Sequence, residues 1–84
     1  MKEIVFSLHA LQQIAERGTS QEEVIQAIRE GQRQPARAGR HIFRLNLEYN
    51  AEWAGKHYGA KQVAPVVVEE GDRVVVITVY TFFF

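Results

Sequence analysis

The chain has no cysteine, which removes disulfide frameworks, thiolate metal sites and thiol nucleophiles together. Nothing in it demands an oxidising compartment, so a cytoplasmic location is the expectation. No stretch approaches the roughly 20 apolar residues of a membrane span, and the first seven residues lack the apolar run of a signal peptide; neither export nor a membrane partner is expected. Net charge is also missing, because ten Lys and Arg balance ten Asp and Glu. That disfavours nucleic-acid binding by bulk charge alone. There is no phosphate-binding glycine loop, metal-spaced His pair, nucleophile elbow or dinucleotide fingerprint. No metal site and no cofactor are expected.

What is present is a globular composition, 46% hydrophobic and 24% charged over 84 residues. A chain this short holds one core and buries only about 60 to 65% of its unfolded surface, so residues 1–84 read as a single domain. Ser7 is a good N-cap, and Leu8, Leu11, Ile14 and Ala15 recur at helical spacing until Gly18, which supplies a left-handed terminator. This predicts a first helix over 8–17. Ser20 with Glu23 three residues on forms a capping box, and Val24, Ile25, Ala27 and Ile28 make the apolar stripe of a second helix that stops at Gly31.

Residues 32–39, with Pro35, read as a loop or weak edge strand. Phe43, Leu45, Leu47 and Tyr49 then alternate with polar residues as a half-buried strand does. Residues 50–59 have no period and read as a long hairpin loop. A strand over 61–69 follows, placed at an edge or given a bulge because Pro65 cannot donate to a ladder. After a turn at residues 70–72, residues 74–80 are apolar on both faces, as in a central strand. The fold class is therefore α+β, two N-terminal helices packed on a three- to four-stranded antiparallel sheet. Phe82, Phe83 and Phe84 either complete the core or sit in a dimer or partner interface.

The middle of the chain is locally basic, with Arg29, Arg33, Arg37, Arg40, Arg44, Lys56 and Lys61 against three glutamates. Arginine outnumbers lysine seven to three, which suits bidentate recognition of phosphate or carboxylate, although arginines paired on a solvated face give the same count. His9 falls opposite the apolar stripe of the first helix, beside Gln13 and Glu16 and within reach of Arg17, so it faces water or a cleft. It reads as an ordinary surface histidine or as an acid/base group. Lys56, His57, Tyr58 and Lys61 form a second group, either a solvated hairpin or an RNA-contacting one. Metal-free RNA cleavage through the 2′-hydroxyl needs a base, an acid and cations around the phosphate, and histidine, tyrosine, lysine and arginine supply them.

The order of segments is more specific than any one of them. Phe6-Ser7-Leu8-His9-Ala10, then Glu16-Arg17-Gly18, the Ser20-Gln21-Glu22-Glu23-Val24 helix start, Gly39-Arg40 and a terminal Val76-Ile77-Thr78-Val79-Tyr80 resemble the family catalogued as domain of unknown function 4258. The resemblance covers nearly the whole chain. That family looks related to the RelE/ParE/BrnT-like toxins of type II toxin–antitoxin systems, which implies such a fold, a metal-free ribonuclease activity and a small antitoxin partner. The same resemblance implies His9, Arg17 and Tyr80 as the catalytic group and Arg40 and Lys61 near the phosphate; Lys56, His57 and Tyr58 join the phosphate-binding set from their residue types alone. Ribosome-dependent toxins of this kind tend to be strongly basic, and this chain is neutral. The alternative from another class is a non-catalytic protein-binding module, or a catalytically inactive toxin-fold protein, that uses its sheet edge and aromatic C-terminus, including as a homodimer.

Overall fold

The computed structural model describes residues 2–84. Strand β1 (Glu3–Phe6) leads into helix α1 (Leu8–Glu16), helix α2 (Gln21–Glu30) and the short strand β2 (Gln32–Pro35). A single 3-10 turn, Arg37–Gly39, precedes three long strands, β3 (His41–Trp53), β4 (Lys56–Glu70) and β5 (Arg73–Phe83). They form one five-stranded sheet in the order β1-β5-β4-β3-β2. Every pairing is antiparallel except β1 with β5, which is parallel. The sheet is thus mixed and five-stranded, not antiparallel with three or four strands. The unexpected strand is β1, a four-residue edge too short to show a period, whereas β2 is the weak edge strand expected within residues 32–39.

Both helices start where their caps require. The Ser7 hydroxyl accepts from the Ala10 amide at 3.0 Å, and the Ser20 hydroxyl accepts from the Glu23 amide at 3.1 Å. Between them Gly18 takes φ +71°, the left-handed conformation that suits glycine. Glu23 does not complete a capping box, because its carboxylate is held by the Thr19 hydroxyl at 3.0 Å and by the Lys61 ammonium at 2.6 Å.

The hairpin between β3 and β4 corrects the expected loop over 50–59. The strands continue to a two-residue connection, Ala54 and Gly55, both at positive φ (52° and 83°), the geometry that matches strand twist. Alanine in the first position hid that turn from the sequence. Upstream, Asn50 at φ 48° absorbs a register shift between Glu48 and Ala51.

Pro65 lies in a central strand, not at an edge. The β3–β4 register passes from Ile42 with Val66 directly to Leu45 with Val63, so pairing lapses opposite the proline, and a bulge against β5 follows at Val66 and Val67. The missing N–H is accommodated by interrupting one ladder.

The helices cover one face of the sheet. Ala10, Ile14, Val24 and Ala27 meet Val63, Val67, Val74, Val76 and Val79 there, with Ile4, Phe6, Phe43, Leu45 and Leu47 packed around them. At one end of this face Lys2, Arg33 and His41 surround Glu69. The hydrogen bond and charge of Lys2, then the charges of Arg33 and His41, hold that carboxyl below its ordinary range.

Candidate functional site

Helix α1 is rotated from its expected setting. Leu8 is 80% exposed and Ala15 is exposed, whereas Gln13 is buried beside Ala10 and Ile14. The reason lies in β5. The pairing of β1 with β5 runs from Glu3 and Arg73 and stops at Phe6 and Val76, which leaves the next stretch of that edge without a neighbouring strand. Side chains of α1 take its place. The Ser7 hydroxyl donates to the Ile77 carbonyl at 3.4 Å, the Gln13 side-chain oxygen accepts from the Val79 amide at 2.7 Å, and Arg17 Nη1 donates to the Val79 carbonyl at 2.9 Å. A buried unpaired amide is costly, so a polar face on α1 outcompetes the apolar stripe.

His9, Gln13 and Arg17 follow at four-residue steps and therefore share one flank of α1. The last two are pinned on Val79. His9, one turn earlier, is exposed and makes no hydrogen bond among the described residues. The Arg17 guanidinium sits 5.3 Å from the centre of the Tyr80 ring, a cation–π distance, and no carboxylate lies within ion-pair reach of it among the described residues.

Tyr80 opens onto the face of the sheet that no helix covers. It lies opposite Ala64, and Phe82 lies opposite Gln62, which in turn faces Asn46. The Tyr80 and Phe82 rings are 6.4 Å apart and nearly parallel, and are 41% and 48% exposed. Across the neighbouring strands Arg44 donates to Gln34 at 3.2 Å and Gln62 at 3.0 Å, and Gln62 donates to Asn46 at 2.9 Å. The open face therefore carries two adjacent rings at β5, an amide row on β4 and β3, and one arginine on each side, Arg17 and Arg44. Such a surface can stack flat aromatic groups while arginines read the anions or acceptors between them. No pocket and no cluster of metal-ligating side chains is present among the described residues.

Of the residues singled out in the sequence, Arg17 and Tyr80 are brought together and His9 lies on the same flank of α1. The others are dispersed. Lys56 and His57 are exposed at the hairpin tip, and Tyr58 is half-buried with its ring 5.7 Å from that of Phe83. Arg40 is exposed at the opposite end of β3, a strand that at about 3.3 Å per residue covers nearly the whole 41 Å long axis. Lys61 is only 6% exposed. Its ammonium donates to the Gly18 carbonyl at 2.9 Å, pairs with Glu23 and lies 5.2 Å from the Tyr49 ring, so its charge holds the turn between the helices.

Sequence reasoning missed Arg44, Gln62 and Phe82 as members of a common face. Only the register places them together, although the period-2 spacing of Tyr80 and Phe82 was a readable sign. Of the terminal phenylalanines, Phe83 answers to the core alternative. Phe83 packs with Trp53, Tyr49 and Tyr58 beneath the helical turn, whereas Phe82 and Phe84 are exposed.

Comparison with protein families matches residues 6–81 to a model described as "Domain of unknown function (DUF4258)". No match was found among curated proteins or among solved structures. No helix of the described residues is long and apolar enough to cross a membrane.

Proposed function

Because the chain belongs to the DUF4258 family, whose model spans nearly all of it, we propose that it is a toxin-like, metal-free ribonuclease of a type II toxin–antitoxin system. The observation that carries this reading is the Arg17, Tyr80 and Phe82 surface on an uncovered sheet. Exposed rings on a sheet stack successive bases of a single strand, and arginines beside them take phosphates or base edges. Tyr80 and Phe82 are the stacking platform in this reading, and Arg17 and Arg44 are the flanking cations.

His9 is the acid/base group of the proposed chemistry. The 2′-hydroxyl loses its proton and attacks the adjacent phosphorus, the 5′-oxygen leaves with a proton, and the products are a 2′,3′-cyclic phosphate and a 5′-hydroxyl end. Arg17 stabilises the charge on the phosphoryl oxygens. A small antitoxin would cover the same face.

The test incubates the purified protein with single-stranded RNA in the presence of a chelator and maps the ends. Cleavage with 5′-hydroxyl ends that disappears in His9→Ala while RNA binding persists supports the reading, and Phe82→Ala should weaken binding by roughly 1 to 3 kcal/mol. Absence of both binding and cleavage in the wild-type protein overturns it. The second reading, a non-catalytic protein-binding module, is favoured by the exposed rings at a partly bare strand edge. It predicts a specific protein complex that His9→Ala leaves intact.

A further inference from the structure

The outer edge of β5 is only partly capped. Phe84 and Ala60 exchange both of their backbone hydrogen bonds, at 2.9 and 3.0 Å, so by the alternation of an antiparallel ladder the amides and carbonyls of Val79, Thr81 and Phe83 point away from β4. Val79 is satisfied by Gln13 and Arg17. Thr81 and Phe83 have no such partner among the described residues. We infer that residues 81–83 pair antiparallel with the same residues of a second copy of this chain, about a two-fold axis through Phe82.

The register selects that occupant. Centred on Phe82, the pairing sets Thr81 against Phe83 of the second copy and Phe83 against its Thr81, so each pair exchanges two hydrogen bonds and all bare groups are used. Centring on Thr81 would set Phe83 against Val79, whose amide and carbonyl are already held by α1. The stretch from Val79 to Phe84 carries no charged side chain, so no like-charged side chains are set against each other in the pairing. Phe82 meets Phe82, and Tyr80 meets Phe84, the three most exposed aromatic side chains of the strand at 48%, 41% and 60%. The opposite sheet edge, β2, is four residues long and carries Arg33 and Pro35, features that blunt edge pairing.

The pair is closed at two copies and the uncovered faces become one continuous surface. Four hydrogen bonds with lateral ring contact make an interface well below the roughly 1,200 Å² of a stable complex, so association is weak and concentration-dependent.

The absence of cysteine gives a clean test. In the proposed register the two Phe82 positions form a non-hydrogen-bonded pair with Cα atoms about 4.5 Å apart, inside the range a disulfide bridges. The two Phe84 positions lie about 13 Å apart along the strand, although Phe84 is the more exposed side chain. Under mild oxidation Phe82→Cys should cross-link to a dimer roughly tenfold or more faster than Phe84→Cys. Both positions are on the surface, and far-UV circular dichroism checks that both variants fold. Equal or faster cross-linking of Phe84→Cys overturns the inference. So does the absence of cross-linking in both folded variants, which would leave this edge to a strand from a different protein.

Discussion

At the scale of single residues, the turn between the helices concentrates the strictest demands. Gly18 has a positive φ, and a Cβ there would lie 2.7 Å from the Trp53 ring. Gly18→Ala should therefore lower stability by roughly 2 kcal/mol or more in urea unfolding. Lys61 is buried against that same turn with Glu23 29% exposed beside it. Lys61→Met, which keeps the stem and removes the ammonium, should cost about 1 to 2 kcal/mol, and the double variant with Glu23→Gln should cost less than the sum of the two. An additive pair would separate the two groups energetically. Glu69 behaves differently because it is exposed. Its carboxyl is held low, mainly by Lys2, so its stabilising contact is present above the ordinary carboxyl range and is lost as pH falls through the lowered value. The difference in melting temperature between wild type and Glu69→Gln should accordingly shrink below about pH 4.

At the scale of elements, α1 explains what the sequence could and could not reveal. Both N-caps and the Gly18 terminator were legible because they are local backbone chemistry. The inward face was not, because Leu8, Leu11, Ile14 and Ala15 form a plausible stripe, and only the strand edge left bare by β1 favours Gln13 and Arg17 over Leu8. Arg17 and Tyr80, grouped in the sequence only through the family resemblance, lie side by side in the structure, and nothing in their spacing joins a helix end to the last strand. β1 was missed for want of length, β2 was legible as no more than a loop or weak edge strand, and the ends of β3 and β4 were missed because an Ala54-Gly55 turn lacks the usual asparagine or aspartate signal. If Gln13 acts as a surrogate strand partner, Gln13→Leu should cost roughly 1 to 3 kcal/mol. Hydrogen exchange should quicken most at the Val79 amide. Uniform quickening across β5 would instead mark general loosening of α1.

At the scale of the whole molecule, neutrality decides how an RNA would be held. Ten positive and ten negative side chains provide no strong long-range field, and two of the arginines, Arg33 and Arg73, are already paired with Glu69 and Glu70. Stacking on Tyr80 and Phe82 must then supply most of the affinity, with Arg17 and Arg44 as the phosphate contacts of the open face. Two such contacts on a single strand release few counterions, at about 0.7 per phosphate. The logarithm of the affinity should therefore fall with the logarithm of salt concentration with a slope of only about −1 to −2. Binding should respond more to Phe82→Ala than to added salt. A slope of about −4 or steeper, insensitive to Phe82→Ala, would move the RNA off this face and onto the arginine-rich stretch containing Arg33, Arg37 and Arg40. The sheet would then be left free for protein contacts.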